Sequence, residues 1–350
     1  MVIAAQAFVT GVLETPVGQV PQVATVLAWR DRWGALRVRL GFGRMQYTVE
    51  PGLYAVGVPQ DDSPVLVTAN YKLSFDHLRA ALAGQDVWIL VLDTNGINVW
   101  CAAGKGTFGT ATLCAQVAAS RLAQLVRHRR LVVPQLGAPG IAAHTVKQES
   151  SFAVVYGPVM ARQLPEFLAR GRATPAMRRK TFLLTERAAL VPVEVVIAGK
   201  WALPLSVLWC GVSGLLGPTS FWENVLGPGV WPVAGLWSGI VAGTVLTPLL
   251  LPVLPGRAFS FKGAGAGLMA ALVFLWFFFS SRPEAPGNGL AGLAWLLLIP
   301  ALASFLGMEF TGASTYTSLS GVKKEMRLAV PLQIAAALCG LLLLLLTGRL

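Results

Sequence analysis

Five apolar stretches, at about 199–217, 230–252, 263–281, 289–310 and 329–347, constrain this chain more than any other feature. Each is close to the roughly 20 residues that an α-helix needs to cross a bilayer. Between Gly199 and Phe310 only seven charged residues occur: Lys200, Glu223, Arg257, Lys262, Arg282, Glu284 and Glu309. Such segments satisfy their backbone in lipid as helices, so residues 188–350 read as an all-α membrane domain of five transmembrane helices. All six aspartates lie before residue 94. A mixed N-terminal half thus precedes a membrane-embedded half, and the mean hydropathy of +0.62 excludes an ordinary soluble enzyme.

The net charge of +12 would suggest nucleic acid in a soluble protein. Here much of it flanks apolar spans, where excess Lys and Arg marks the cytoplasmic side, and no nucleic-acid-binding signature accompanies it. Six basic side chains lie between 170 and 187: Arg170, Arg172, Arg178, Arg179, Lys180 and Arg187. They read as a juxtamembrane cluster facing anionic membrane lipid. Arg257 and Lys262 occupy the second connecting loop, and Lys323, Lys324 and Arg327 the fourth. Alternation then puts the N-terminal domain in the cytoplasm and the C-terminus outside the cytoplasmic membrane. The N-terminus lacks the basic start of a secretion signal. Glu309 precedes a hydroxyl-rich loop, 311–328, that reads as a solvated connector or as a segment folded back onto the first domain.

Residues 31–187 have an α/β rhythm. Residues 1–30 form an N-terminal segment of uncertain nature, of which 1–27 are apolar, carry Gly and Pro without a clear period, and receive no fold. Residues 29–50 alternate in part, Leu36, Val38 and Leu40 against Arg37 and Arg39, and read as a half-wet strand. Short strands are expected at 53–58, 65–68, 87–93, 131–133 and 152–156. Helices are expected at 74–83, with Ser74 as N-cap and Gly84 as stop, at 110–130, ending in Arg127, His128, Arg129 and Arg130, and after Pro158. This order implies a Rossmann-like, mainly parallel sheet covered on both faces.

Between the 87–93 strand and the 110–130 helix runs N-G-I-N-V-W-C-A-A-G-K-G-T-F-G, residues 95–109. In an open α/β sheet, ligands bind outside the carboxyl ends of strands, which makes this the candidate site. A phosphate loop fails on spacing, since Gly96 lies eight residues before Gly104 and Gly106 stands where Ser or Thr should hold magnesium. Gly104, Gly106 and Gly109 satisfy G-x-G-x-x-G, but ten residues separate them from the strand and Arg127 to Arg130 stand where an acidic residue belongs. That leaves Cys101 as a nucleophile, a soft metal ligand, or a small buried hydrophobe. A nucleophilic pair lacks a recognisable histidine, and a thiolate bound to a metal that a cofactor already holds needs no second protein ligand. The four cysteines, 101, 114, 210 and 339, form neither a zinc pattern nor a disulfide framework.

The octapeptide N-V-W-C-A-A-G-K, residues 98–105, resembles the signature of the mercury-methylating corrinoid protein family, HgcA. Residues 43–57 (G-R-M-Q-Y-T-V-E-P-G-L-Y-A-V-G), residues 64–76 (P-V-L-V-T-A-N-Y-K-L-S-F-D) and the five-span half resemble it too. The soluble domain is also similar to the corrinoid iron–sulfur protein of the acetyl-CoA pathway, which lacks the cysteine signature. The resemblance implies a cobalamin-type corrinoid, base-off and Cys-on, with Cys101 thiolate as lower axial ligand of cobalt. It implies corrinoid-dependent methyl transfer through methyl-Co(III) to Hg(II), giving methylmercury. A folate- or pterin-linked methyl donor and an HgcB-like ferredoxin with two four-iron–four-sulfur clusters as reductant complete the expected partners. Asn98, Trp100 and Lys105 are nominated to orient the ligand; Val99, Ala102 and Gly104 lie in the same octapeptide and are carried as cofactor contacts. Thr68 and Asn70 are expected to touch the corrin from the neighbouring strand end, and Gly137 and Gly140 to let backbone approach it. Consistently, no D-x-H-x-x-G occurs: Phe75, Val126 and Ala142 stand two positions before the histidines. Two other classes stay open, a corrinoid methyl carrier of one-carbon metabolism without a mercury role, and a membrane transporter or sensor with a soluble regulatory domain.

Overall fold

The structure, a computed structural model, describes residues 6–281, 287–313 and 319–347. The chain divides into two compact units, Met1–Thr181 and Phe182–Leu350.

The first unit is an α/β domain. Its strands are β1 (Val9–Thr15), β2 (Gly18–Val23), β3 (Gly52–Val56), β4 (Val65–Ala69), β5 (Val87–Leu92), β6 (Arg130–Val133) and β7 (Ala153–Tyr156). Its helices are α1 (Trp29–Arg39), α2 (Lys72–Ala81), α3 (Val99–Lys105), α4 (Thr110–Ala119), α5 (Leu122–Leu125), α6 (Ala143–Ser150) and α7 (Leu164–Arg170). The seven strands form one sheet in the order β1-β2-β3-β5-β4-β6-β7. The contiguous strands β5, β4, β6 and β7 are mutually parallel, while β3 runs antiparallel to β5. The chain leaves central β4 for β5 on one side, then crosses to β6 on the other, so the connections diverge at β4. Such a divergence opens a crevice outside the strand carboxyl ends.

Both faces of the parallel core are covered, which is why every residue of β4 and β5 is buried and all but Thr68 are apolar. Val65, Val67, Ala69, Leu90 and Leu92 pack with Val99, Ala102, Leu113 and Val117 on one face. Leu66, Ile89 and Val91 pack with Phe75, Leu78, Leu164 and Phe167 on the other. At about 1.5–3 kcal/mol per fully buried aliphatic or Phe side chain, these two layers dominate the domain's stability.

Several sequence expectations change. Residues 9–23, left without a fold, form a hairpin that extends the sheet, its turn closed by Gly18 at φ +112°. Residues 29–39 form a helix instead of a half-wet strand. The partial alternation misled because the side chain that fixes the segment is polar: Asp31 is buried, accepts the Ala28 N–H at 3.0 Å, and pairs with Lys72 and Arg79 of α2 at 2.6 and 2.7 Å. Arg79, fully buried, also meets Asp76 at 2.8 Å, so two cations and two carboxylates neutralise one another. Helix α2 begins at Lys72, one turn earlier than Ser74 suggested, with Tyr71 at its N-cap. The single helix expected over 110–130 breaks after Ser120, where Arg121 takes φ +47°, and its terminal cations lie in the loop leading to β6 and on its first residue.

The second unit is helical. Among the described residues, five helices are long and apolar enough to cross a membrane: Leu184–Leu216, Phe221–Leu250, Phe259–Ser281, Asn288–Thr311 and Gly321–Leu346. The third and fourth approach closely, since a Cβ on Gly263 would stand 2.6 Å from the Ala303 carbonyl oxygen. Gln333 of the fifth donates to Ser304 of the fourth at 2.7 Å, and Ser304 donates to the Ser260 carbonyl of the third at 2.9 Å. The second span contains two π-turns, Val225–Gly229 and Ala242–Leu246. Glu309 is exposed and starts a 3-10 turn, Glu309–Ala313. The loop charges Arg282 and Glu284 and the hydroxyl-rich run 314–318 lie outside the described residues.

Candidate functional site

Cys101 sits in the first turn of α3, the short helix that follows β5. The helix starts where it does because Asn98 has extended backbone and its side-chain oxygen accepts the Cys101 N–H at 3.0 Å, the N-cap arrangement that polar short side chains favour. It stops at Gly106, whose φ of +84° is the left-handed C-cap that glycine adopts without strain. Inside these limits the helix has two faces. Val99, Ala102 and Ala103 are buried against the sheet. Trp100 and Cys101 are half-buried, and Gly104 and Lys105 are exposed.

The segment before the helix is tied to β4 by one side chain. The Asn70 Oδ1 accepts from the Thr94 N–H at 3.1 Å, the Thr94 hydroxyl at 2.8 Å and the Gly96 N–H at 3.0 Å. Its amide nitrogen donates to Asp93 at 3.1 Å. The Ile97 carbonyl, 2.7 Å from Thr94 Oγ1, is the alternative acceptor for that one hydroxyl proton. The segment after β6 closes the other side. The 3-10 turn Gln135–Gly140 packs on α3 so tightly that a Cβ on Gly140 would stand 2.1 Å from the Phe108 carbonyl oxygen and 3.1 Å from Ala103 Cα. A Cβ on Gly137 would enter the Phe108 ring at 2.5 Å. The Thr110 hydroxyl accepts the Ala142 N–H at 2.9 Å and holds the base of the same turn.

The structure therefore collects segments from the carboxyl ends of β4, β5 and β6, with Cys101 among them. Not every expected contact faces outward. Val99 and Ala102 hold the helix to the core. Thr68 is buried on β4 between Val67 and Ala69, which face the α3 side, so strand alternation turns Thr68 to the other face of the sheet. Asn70 spends its polar atoms on the loop. The room at Gly137 and Gly140 is taken by Phe108 and α3. Trp100, Cys101, Gly104 and Lys105 remain on the open face. Thr94 and Phe108 were missed by sequence reasoning. The turn-forming run D-T-N-G at 93–96 was the available signal for Thr94.

The open face suits a flat ligand with a soft metal at its centre. Cys101 is half-buried, and apart from the adjoining chain nothing lies within 4 Å of the place where a Cβ on Gly104 or Gly106 would stand. The surface beside the thiol is thus uncrowded at these two glycines. Among the described residues no group of three or more His, Cys, Asp or Glu side chains comes together to hold a metal ion. A single thiolate completing the coordination of a metal that is already chelated matches this donor set. Cys114 does not compete: burial, with Glu149 nearby, pushes its thiol up to about 11.

Fold and site together define an α/β domain with a strand-end thiol site, joined to five helices fit to span a membrane. Residues 43–168 match the family of the CO dehydrogenase/acetyl-CoA synthase delta subunit. The gamma subunit of the acetyl-CoA decarbonylase/synthase complex of Methanopyrus kandleri is 34% identical over 124 residues, 35% of this chain and 26% of that protein. The gamma subunit from Archaeoglobus fulgidus is 30% identical over 129 residues, 36% of this chain and 27% of that protein. That from Methanocaldococcus jannaschii is 29% identical over 127 residues, again 36% of this chain and 26% of the relative. The chain spans about a quarter of the length of these relatives, and the family match falls inside the α/β domain.

Proposed function

We propose that the α/β domain binds a corrinoid, base-off, against the open face of α3, with the Cys101 thiolate as lower axial ligand, and that the protein transfers a methyl group to Hg(II). The observation that carries this reading is the placement of Cys101: it lies in the first turn of a capped helix at the carboxyl end of β5, with open space at Gly104 and Gly106 beside it. The similarity to subunits of acetyl-CoA-forming complexes, and the resemblance of the domain to a corrinoid iron–sulfur protein, support a corrinoid and methyl transfer. The octapeptide around Cys101 supports the thiolate ligand and mercury as acceptor.

When bound, the corrinoid supplies a cobalt that accepts a methyl group from a one-carbon donor and passes it on. The protein's part is positional and electronic. Cys101 would hold the cobalt through a soft, electron-rich sulfur. Asn98 holds that residue's backbone, Trp100 flanks it, and Gly104 leaves the adjacent turn bare. Lys105 brings a positive charge to the same face. The reductant is a ferredoxin-like protein carrying iron–sulfur clusters, the methyl donor is folate- or pterin-linked, and the five helices hold the domain at the cytoplasmic face of a membrane.

The comparisons favour one second reading, a methyl carrier in one-carbon metabolism with no mercury role. Both are tested on full-length protein reconstituted with cobalamin. The visible spectrum should be that of a thiolate-ligated corrinoid, and it should change in Cys101→Ala. Reduced, methylated protein given Hg(II) should release methylmercury. A corrinoid spectrum identical in wild type and Cys101→Ala would sink the ligand assignment. Normal methylation of the corrinoid with no methylmercury would leave the carrier reading in place of the mercury one.

A further inference from the structure

Helix α1 presents a face that the domain does not use. Its inner side is committed: Asp31 and Val38 are buried, and a Cβ on Gly34 would stand 2.5 Å from the Tyr47 hydroxyl, so α1 lies tight on that ring. On the opposite side, Trp29, Trp33 and Leu36 follow one another at helical spacing. They are 75%, 52% and 45% exposed. At 100° per residue these three fall within a sector of about 60°. Arg30 and Arg37 project on one flank of that stripe and Arg32 on the other, all exposed. The helix's one acidic residue, Asp31, points inward and is neutralised by Lys72 and Arg79. The outward surface is therefore aromatic along its crest and purely cationic along its sides.

We infer that α1 is an interfacial helix that docks the α/β domain on an anionic phospholipid surface. Tryptophan favours the boundary between headgroup and acyl chain, and an apolar stripe edged by arginine is the form of helix that lies in that boundary. The sign of the charge selects the occupant: three arginines with no outward acid match phosphatidylglycerol-type headgroups, each cation near such a surface adding about fivefold in affinity. The same chain supplies the proximity, since it carries five helices fit to cross a membrane. This inference stands apart from the corrinoid reading.

The test uses full-length protein in nanodiscs of phosphatidylcholine alone or of phosphatidylcholine with 30% phosphatidylglycerol. A photo-crosslinking residue is placed by Trp33→benzoylphenylalanine, and phospholipid adducts on the peptide containing residue 33 are counted by mass spectrometry. We expect adducts in anionic discs, reduced at least about fivefold in neutral discs and in the Arg30→Gln/Arg32→Gln/Arg37→Gln variant. Raising salt to about 1 M, where screening acts over about 3 Å, should reduce the adducts in anionic discs with all three arginines present and no further change to the chain. A probe at Val58, 58% exposed on the loop after β3, should give few adducts under any condition. Absence of lipid adducts in anionic discs, equal yields in neutral discs, equal yields at Val58, or adducts to another protein in native membranes would each overturn the proposal.

Discussion

Asn98 Oδ1 lies 3.0 Å from the backbone nitrogen of Cys101, so the residue three positions before the thiol fixes the turn that carries it. Replacing that cap costs about 1 kcal/mol where it has been measured in other helices. Asn98→Ala should lower the affinity for corrinoid severalfold, read by absorbance titration, while Asn98→Asp, which keeps an acceptor, should stay within about twofold of wild type. Loss in both would mean that the amide contacts the ligand instead of capping the helix.

Cys101→Ala should abolish methyl transfer and alter the corrinoid spectrum, whereas Cys114→Ala should do neither. Burial and Glu149 hold the Cys114 thiol near 11, so at pH 7 about one molecule in 10,000 carries the thiolate that a metal needs. Iodoacetamide labelling followed by peptide mapping should leave Cys114 unmodified until the pH approaches 11.

Two glycines in the site should respond in opposite ways. Gly140→Ala drives a methyl group into the Phe108 carbonyl and should lower stability by about 1–3 kcal/mol, seen as a lower melting temperature in detergent. Gly104→Ala meets nothing within 4 Å and removes a flexible residue from a helix, so the fold should gain roughly 0.5–1 kcal/mol. Gly104→Leu should leave melting close to wild type and still weaken corrinoid binding, because it covers the uncrowded surface beside Cys101. Unchanged binding would move the ligand off that surface.

The Asp31–Lys72–Asp76–Arg79 cluster makes a pH prediction. Burial pushes the Asp31 carboxyl up, but hydrogen bonds from Lys72 and Arg79 outweigh it and hold it below its ordinary 3.8. A carboxyl depressed in the folded state contributes stability that is present above the unfolded value and lost as pH falls through the folded one. Its contribution should therefore be constant from pH 5 to 8, begin to fall below about pH 4, and be gone only below the depressed folded value. Arg79→Met leaves two carboxylates sharing one lysine and should cost about 3–5 kcal/mol at neutral pH. The penalty should shrink in acid, measurable by melting curves at pH 4 and pH 7.

The parallel core and the membrane spans were legible in the chain because each rests on contiguous apolar residues. Val87 to Leu92 could only be a strand buried on both faces, and 329–347 only a helix in lipid. Segments organised by a single polar contact were not legible. Helix α1 depends on Asp31 reaching residues 41 and 48 positions away, which no local window contains. The break at Arg121 depends on a left-handed residue that nothing in its type demands. In the site, the cysteine stood out by its neighbours. The position of Thr68 at a strand end did not reveal which face of the sheet it takes, and the chain around Gly137 and Gly140 did not reveal that Phe108 packs against both.

Asn70 makes four hydrogen bonds to residues 93–96, so the end of one strand and the approach to the cysteine helix form a single braced corner. The approach to α3 can shift only if those bonds break together, so the start of the cysteine helix is held from the neighbouring strand. If Cys101 holds a cofactor as proposed, movement during a reaction would fall to the bound group and its partners and not to this corner.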